Sequence, residues 1–371
     1  MKPRFLFVVF ALGLLPAGRA TAQEVPAAAP ARPGPLIVGA YAQAGFIIAH
    51  TPRVRHLVSA HPTGLELNVQ RQLNGRQPWH AWYRYPRVGL ALVYYDYHNP
   101  VLGRSYAASV YLNKLFWERR GQQLSFRMGT GVGYFPRRFD RDTNHKNTFV
   151  SSRLNATLQL RAEYDVALSP KLGLLMGVAL NHYSNGATAK PNLGINIPTL
   201  NIGLNFHQQR AFVPLPEGGG EVAGLGKNFL NLSASAGIKQ RNESDTRRYW
   251  VNSVTVIGGR RVNRKSNLLV GLEGFYDRSL LAEQRDTTAA GRELIDVKKA
   301  GVIVGHELLL GRLAFETHLG IYLYNPYKSN NFYYERIGLK YHFTERLFGT
   351  LGLKVHRGSA DAIEWRLGVK L

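Results

Sequence analysis

The amino-acid sequence predicts an all-β protein, a transmembrane antiparallel β-barrel of about sixteen strands, with fourteen as the alternative count. Two observations support this fold class. Apolar side chains occupy every second position through segments that are long enough to cross a bilayer. The connections between these segments alternate between short turns and longer polar loops, as they do at the two ends of a membrane barrel.

The amino terminus carries an export signal. Lys2 and Arg4 precede the apolar run "FLFVVFALGLL", and the small residues "ATA" come directly before Gln23. This order predicts a secretory signal peptide over residues 1–22, whose apolar run is too short for a membrane-spanning helix. The Ala/Pro-rich residues 23–35 are predicted to be a flexible lead-in. Residues 36–371 are then predicted to form one barrel, without an internal repeat or a second domain.

The alternation is clearest in "SRLNATLQLRAEYDVAL", residues 152–168. Even positions hold apolar residues such as Leu154 and Leu158, whereas odd positions hold polar ones such as Arg161, Glu163 and Asp165. Strands of soluble sheets run about 5–6 residues, whereas a tilted membrane-spanning strand needs about 9–11. The lengths therefore favour a membrane barrel, with lipid-facing even positions here, over the alternative of a large secreted β-sandwich.

Sixteen alternating segments follow one another from residue 36. Short turns such as "SP", "VNRK" and "TE" join some neighbours, and longer loops such as "PRRFDRDTNHKN" and "RNESDTRR" join others. Residues 209–227, which include "PLPEGGGE", break this rhythm. The predicted segments are 36–49, 62–73, 86–96, 104–116, 122–134, 152–168, 171–184, 198–208, 228–240, 248–260, 266–277, 300–310, 312–324, 332–343, 346–356 and 362–371.

Charge and composition restrict the partners. The chain has 47 Lys and Arg against 24 Asp and Glu, a formal net charge of +23, which suits a polyanionic partner. Export makes nucleic acid a poor candidate and favours phosphorylated lipid at a membrane surface. The absence of cysteine excludes a disulfide framework. We expect no metal or cofactor, because His306 and Glu307 of "GHELLLG" fall on opposite faces of a strand.

The stretch "LNHYSNGATAKPNLGIN", residues 180–196, carries the candidate site. The strand before it places apolar residues at even positions up to Leu180, yet His182 and Ser184 occupy the next two. If odd-numbered strands run outward, both side chains face lipid at the height of the outer-leaflet head groups. Asn196 begins the return strand with the same parity. Three polar residues are therefore predicted to meet on the membrane-facing wall.

These residue types suit ester hydrolysis. Side chains two positions apart on a strand share a face, so His182 can take the proton of the Ser184 hydroxyl. An ester also requires donors for the oxyanion, and Asn185, Gly186 and the following backbone are candidates. The H-x-S pattern alone is weak, and the alternative is that these polar groups merely contact lipid head groups.

The motif "HYSN", followed by "PNLG", resembles the signature of the lipid A 3-O-deacylase family, the PagL-type outer-membrane acyl hydrolases. The resemblance implies a Gram-negative outer-membrane barrel that hydrolyses an acyl ester of lipid A, within lipopolysaccharide, through a Ser–His–acid triad on its outer wall. It places the family's histidine at His182, its nucleophile at Ser184, its oxyanion asparagine at Asn185 and a second asparagine at Asn192. The match is close over residues 180–196 and loose over residues 36–210. Family barrels typically have eight strands, so the second half of this chain extends the pattern.

The sequence departs from the family at one position, where Asn196 replaces the glutamate of the triad. An asparagine carbonyl can orient imidazole, although it cannot balance an imidazolium charge. The nearest acids, Glu163 and Asp165, are lumenal by parity. We therefore predict a cofactor-free enzyme with a Ser184–His182–Asn196 set. The alternative is a porin or structural barrel without catalytic activity, whose lumenal Arg127, Arg153 and Arg161 would favour anions.

Overall fold

The computed structural model describes residues 33–59, 61–208, 225–289, 292–327 and 331–371. These residues form sixteen antiparallel strands, which confirms the predicted fold class and strand number. The predicted signal peptide and residues 23–32 of the lead-in lie outside the described residues. No helix within the described ranges is both long enough and apolar enough to cross a membrane.

The first barrel contains strands β1 to β8, each paired with its sequence neighbours. The barrel closes where β1 pairs with β8, in a register that runs from Ile37 opposite His207 to Gly45 opposite Thr199. The strands are β1 (Leu36–Gly45), β2 (Thr63–Gln72), β3 (Arg87–Asp96), β4 (Arg104–Arg119), β5 (Gln122–Tyr134), β6 (Leu154–Ala167), β7 (Leu172–Ser184) and β8 (Ile195–His207).

The second barrel repeats this topology with strands β9 to β16. It closes where β16 pairs with β9, from Glu364 opposite Gly237 to Lys370 opposite Asn231. The strands are β9 (Asn228–Gln240), β10 (Arg248–Asn263), β11 (Ser266–Asp277), β12 (Lys298–Leu310), β13 (Leu313–Tyr324), β14 (Tyr333–His342), β15 (Leu347–His356) and β16 (Ser359–Lys370). Besides the strands, the described residues form two α-helices, α1 (Pro78–Trp82) between β2 and β3 and α2 (Arg278–Thr287) after β11, and one 3-10 helix, Pro52–Leu57, between β1 and β2.

The strands thus close as two barrels of eight, and the prediction of one sixteen-stranded barrel was wrong. A strand edge left unpaired in lipid exposes backbone groups at a cost of several kcal/mol each, so β8 gains by pairing with β1. Alternation cannot reveal this closure, because every strand has one lumenal and one lipid-facing side in either architecture. The boundary between the two barrels falls in residues 209–227, the segment that departed from the alternation of short turns and long loops. Residues 209–224 of this segment lie outside the described part of the chain.

Paired charges fill the first lumen. Arg127 Nη1 donates to Glu66 Oε1 at 2.6 Å, and Arg161 Nη1 donates to the same oxygen at 3.1 Å. All three side chains are at most 1% exposed, and Glu163 lies beside both arginines. A buried charge is tolerated when it is paired. An eight-stranded barrel is just wide enough for its side chains to fill, so Arg127 and Arg161 hold the core together and do not line a wide pore.

The second lumen is filled in the same manner. Both amino groups of Arg336 donate to Glu273 at 2.8 Å, and Arg366 reaches that carboxylate at the same distance. Nearer one end, Lys340 lies between Glu307 and Glu316, at 2.6 and 3.1 Å. Arg153, the third arginine expected in a pore, is exposed at the mouth of the first barrel, just before β6 begins. The wide lumen on which the porin alternative depended does not occur in either described barrel.

The outer walls are apolar, as the even-numbered side chains of β8 illustrate: Leu200 is 70% exposed, Ile202 56% and Phe206 54%. At one end of the first barrel, which we call the loop end, long connections follow β1, β5 and β7, and they are described over residues 46–59, 61–62, 135–153 and 185–194. Their apolar side chains pack into one cluster over the barrel mouth, and this cluster holds the loops in place. The cluster includes Ile47, Val54, Leu57, Tyr97, Phe149, Val150, Tyr183, Ile195 and Ile197.

The two barrels contact each other near both ends. At the loop end, the Gln240 backbone N–H donates to Ala187 O at 2.9 Å. At the opposite end, the Tyr83 hydroxyl, just after α1, donates to Leu309 O at 3.0 Å. Lys265 lies over the Tyr83 ring, 4.9 Å from its centroid. The second barrel therefore lies against the loop that follows β7.

Candidate active site

His182 and Asn196 lie opposite each other on neighbouring strands. Residues 185–194 connect β7 to β8, and the resulting register pairs His182 directly with Asn196. The imidazole Nδ1 lies 2.7 Å from the Asn196 Oδ1 atom. Because an amide oxygen only accepts hydrogen bonds, His182 carries its proton on Nδ1 in this arrangement. Its Nε2 atom then keeps a lone pair and can act as a base.

Gly194 gives the imidazole its space. Its φ of +71° lies in the left-handed region that favours glycine. A Cβ atom added there would lie 2.9 Å from His182 Cε1 and 3.6 Å from Nε2. Any other residue at this position would both strain the backbone and crowd the base. This is the glycine of "PNLG", for which the sequence analysis named no role.

Ser184, the last residue of β7, accepts two hydrogen bonds. Asn192 Nδ2 donates to its Oγ at 2.8 Å, and the Gly186 backbone N–H donates to the same atom at 3.2 Å. Among the hydrogen bonds of the described residues, none joins Ser184 to His182. The two side chains leave the same face of β7 two positions apart, and catalytic hydrogen bonds are often long without substrate. The structure thus brings Ser184 together with Asn192 and Gly186.

Asn185 occupies a different place from the one that the resemblance implied. Its side chain is 3% exposed and donates to Ser151 Oγ at 3.3 Å and to Ala189 O at 3.0 Å. Its backbone N–H donates to Asn192 Oδ1 at 3.1 Å. The Asn185 amide thus points into the turn and away from Ser184. Through its backbone N–H, Asn185 orients Asn192, whose own amide group reaches the serine.

Two further residues adjoin the site without having been predicted. His50, beyond the end of β1, lies with its Nδ1 3.4 Å from Asn196 Nδ2. Ile363, on β16 of the second barrel, lies against Gly186, where an added Cβ would be 2.6 Å from its Cδ1. His50 has the even parity of the lipid-facing residues of β1. In a single sixteen-stranded barrel, β1 would pair with β16, and the parity of His50 would not have pointed to Asn196 on β8.

The carboxylates nearest in sequence do not reach the site. Glu163 faces the lumen, where Asn113 Nδ2 donates to it at 2.7 Å. Asp165 also faces inward, and its Oδ2 lies 3.7 Å from His207 Nε2. The residue that contacts His182 Nδ1 is therefore the neutral Asn196. The described residues include no group of three or more side chains suited to hold a metal ion.

Basic residues surround the loop end, and several are already paired. Arg53 forms an ion pair with Glu243, and Arg141 donates to the Glu243 backbone carbonyl. Arg247 donates to Asp245 at 3.0 Å and holds the pKa of that carboxyl below its usual range. The two contacts of Glu243 join the loops of the first barrel to the loop between β9 and β10 of the second.

The geometry supplies the parts of a nucleophilic hydrolase. Ser184 provides a hydroxyl on the outer wall, His182 a base with a free Nε2, and Asn196 a hydrogen-bond acceptor that orients the imidazole. Gly186 and Asn192 provide two donors beside the hydroxyl. All lie within one β-hairpin, β7 to β8. Acyl transfer from an ester requires this combination of groups.

Comparison with known proteins gives two family matches. Residues 63–205 match the family model of lipid A 3-O-deacylase (PagL), and residues 228–371 match that of the acyloxyacyl hydrolase C-terminal domain. The first match lies within the first barrel and includes the whole hairpin described above. The second match covers the second barrel. No curated protein matches the chain.

Among solved structures, Neisserial surface protein A is 13% identical, with a TM-score of 0.34, over 46% of this chain and 96% of its own. The outer membrane enzyme PagL is 17% identical, with a TM-score of 0.31, over 48% and 99%. Omp33 of Acinetobacter baumannii is 8% identical, with a TM-score of 0.18, over 91% and 98%. Because these TM-scores are low, the fold is assigned from the strand pairing alone. On these two matches, neither of which alone spans half of the chain, the first barrel resembles the lipid A 3-O-deacylase (PagL) family and the second barrel resembles the acyloxyacyl hydrolase C-terminal domain.

Proposed function

We propose that this protein removes an ester-linked acyl chain from lipid A in the outer leaflet, with Ser184 as nucleophile, His182 as general base and Asn196 as the residue that orients His182. The observation that carries the proposal is the 2.7 Å contact between His182 Nδ1 and Asn196 Oδ1 on the outer wall of the family-matched barrel. A site on that wall meets its substrate laterally, within the membrane. The lipid therefore does not have to leave the bilayer.

The reaction would proceed in two steps. His182 Nε2 takes the Ser184 proton while Oγ attacks the ester carbonyl, and the resulting oxyanion is stabilised by the Gly186 N–H and Asn192 Nδ2, which bond to Oγ in the free protein. Collapse of the intermediate expels the sugar alkoxide, which takes the proton from His182. Water, deprotonated by His182, then hydrolyses the acyl–Ser184 ester and releases a fatty acid.

Asn196 leaves the imidazolium of the first step without a counter-charge. A hydrogen bond to a charged partner is roughly twice as strong as a neutral one, so the neutral amide stabilises the transition state less than a carboxylate would. Its other duty, selection of the Nδ1–H tautomer, is one that an amide oxygen performs well. We therefore propose an active enzyme whose chemical step is slower than that of a glutamate-containing relative.

The phosphates of lipid A would meet basic side chains at the loop end. Arg138 reaches only a backbone carbonyl, Ser151 O, at 3.5 Å, and Lys146 is exposed. Arg137 donates to Pro100 O, whereas Arg247 is already committed to Asp245 and Asp286. Arg138 and Lys146 are thus better phosphate ligands than Arg137 and Arg247.

Ser184→Ala should lower the release of fatty acid from lipid A by at least about 10³-fold, because the nucleophile is lost. The variant should still fold, since Ser184 lies on the outer wall and outside the core. Mass spectrometry of lipid A incubated with the purified protein in detergent measures the effect. Ser169→Ala, in the turn that precedes β7 at the opposite end of the barrel, is the matched control and should retain full activity. Undiminished deacylation by Ser184→Ala would assign the chemistry to another group.

Asn196→Glu should raise the rate of ester hydrolysis about tenfold, because a charge-assisted bond to the imidazolium adds about 1–1.5 kcal/mol over a neutral one. Asn196→Ala should lower the rate, since His182 then loses the acceptor for its Nδ1–H. Initial rates of fatty acid release for the wild type and both variants, measured across pH, provide the test. Equal rates in all three proteins would place Asn196 outside the catalytic set.

A further inference from the structure

We infer that His50 is a positioning residue, which fixes the orientation of the Asn196 amide and thereby the tautomer of His182. This inference rests on the proposed function, in which His182 Nε2 is the base. Four groups form a chain at the loop end, from the Leu193 carbonyl through His50 and Asn196 to His182. Each contact in this chain determines the direction of the next hydrogen bond.

The Leu193 carbonyl determines which groups donate and which accept along this chain of hydrogen bonds. His50 Nε2 lies 2.9 Å from Leu193 O, which can only accept, so Nε2 carries the proton of the neutral ring. His50 Nδ1 then has a lone pair, which faces Asn196 Nδ2 at 3.4 Å. With its amino group directed to His50, Asn196 presents Oδ1 to His182.

Ile48 O also lies near His50 Nδ1, at 3.2 Å, and competes with this arrangement. A proton on Nδ1 alone would serve Ile48 but leave the Nε2 lone pair 2.9 Å from the Leu193 carbonyl oxygen, where the two repel. A proton on both nitrogens would make His50 a cation. The neutral ring with its proton on Nε2 satisfies the shorter contact and accepts from Asn196.

The need for such a device follows from the replacement of a carboxylate by an amide. The two oxygens of a glutamate are equivalent acceptors, so either one selects the Nδ1–H tautomer of histidine. An amide has one acceptor and one donor, and a flipped Asn196 would direct N–H toward His182 Nδ1. That orientation moves the imidazole proton to Nε2 and leaves no lone pair for Ser184.

The test is a double-mutant cycle between positions 50 and 196. In the wild-type background, His50→Ala should lower kcat for fatty acid release by up to about tenfold, with little change in KM, because that is the loss when the flipped amide holds about nine-tenths of the population. In the Asn196→Glu background the same substitution should cost less than about twofold, since a carboxylate has no orientation to fix. His145→Ala, which removes an exposed imidazole from another outer loop, is the control and should leave both rates unchanged. An equal loss from His50→Ala in both backgrounds would overturn the inference.

A second measurement does not depend on turnover. Nitrogen-15 NMR of the His182 ring in detergent micelles, at a pH where imidazole is neutral, reports which nitrogen carries the proton. The wild type should show Nδ1–H alone, and His50→Ala should show a mixture of both tautomers. An unchanged tautomer in His50→Ala would overturn the role of His50. If the tautomer responds as expected but lipid A is not cleaved, the proposed function fails and the positioning role stands.

The geometry also points to a role for the second barrel, which we propose holds the turn that carries the oxyanion donors. Lys190 N–H donates to Gln240 Oε1 at 2.9 Å, and Lys190 Nζ donates to Arg241 O at 3.1 Å. Together with the bond from Gln240 N–H to Ala187 O, these contacts hold residues 187–190 from outside the first barrel. Ile363 packs on Gly186 at the start of the same turn.

These contacts act where the chemistry needs rigidity. Gly186 supplies one donor to Ser184, and Asn192, which supplies the other, follows the turn directly. Donors that stabilise an oxyanion must be held in place before the reaction. Without the second barrel, the outer side of the turn would lose three hydrogen bonds. In this account the second barrel, whose own match is to a C-terminal domain, completes the active site of the first.

The double variant Gln240→Ala/Ile363→Ala in the full chain tests this role. Hydrogen–deuterium exchange of residues 185–190 should become faster, and kcat should fall about tenfold with little change in KM, because the oxyanion donors are then held less firmly before the reaction. Leu367→Ala, four residues along β16 and 65% exposed, is the matched control and should alter neither quantity. Unchanged exchange in the double variant would refute the role of the second barrel. Faster exchange in a protein that does not cleave lipid A would count against the proposed function alone.

Discussion

The pairing of β1 with β8 is the constraint on which the rest of the structure depends. A membrane offers no water to satisfy a strand edge, and the eighth strand satisfies its edge by returning to the first. This closure makes the lumen narrow enough for side chains to fill, so that Glu66 and two arginines become a buried ionic core. It also brings the end of β1 beside the start of β8, and with it His50 beside Asn196.

Strand parity puts His182, Ser184 and Asn196 on the outer face of the barrel, and the connection between β7 and β8 adds Gly186 and Asn192. On β7 the same face that carries apolar side chains into lipid carries His182 and Ser184 near the loop end. The apolar cluster beneath the loops supports this arrangement, since Tyr183 and Ile195, the inward neighbours of His182 and Asn196, are both members of it. Core packing thus fixes the backbone on which the outward-facing site residues stand.

Strand parity made much of this predictable from the sequence. It predicted the number of strands, the shared outer face of His182 and Asn196 and the inward direction of Glu163, because period-two alternation marks each strand and determines which way its side chains face. Asn185 shows where such reasoning ends. It lies in a turn, where no periodicity determines side-chain direction, and its amide bonds to Ser151 rather than to Ser184.

The sequence could not predict which strands close each barrel, or which residues of the two barrels are in contact, for a different reason. Alternation is local, whereas closure depends on which two distant edges meet, and a sixteen-stranded barrel satisfies the same pattern. His50 and Ile363 could not be found while β1 was placed beside β16. Once the two barrels are recognised, both residues are seen to lie beside the candidate site, and the second barrel is its neighbour.

The most direct measurement of the central claim is cysteine cross-linking across the closing strands in detergent. The chain has no native cysteine, so a pair can be introduced without background. Ala44 lies directly opposite Leu200 in the β1–β8 register, and Ala44→Cys/Leu200→Cys should form a disulfide on mild oxidation, visible as a shift in electrophoretic mobility. Ala44→Cys combined with Ile363→Cys, Trp365→Cys or Leu367→Cys on β16 should not. Cross-linking to β16 in place of β8 would contradict closure at eight strands, and with it the position of His50 beside the active site.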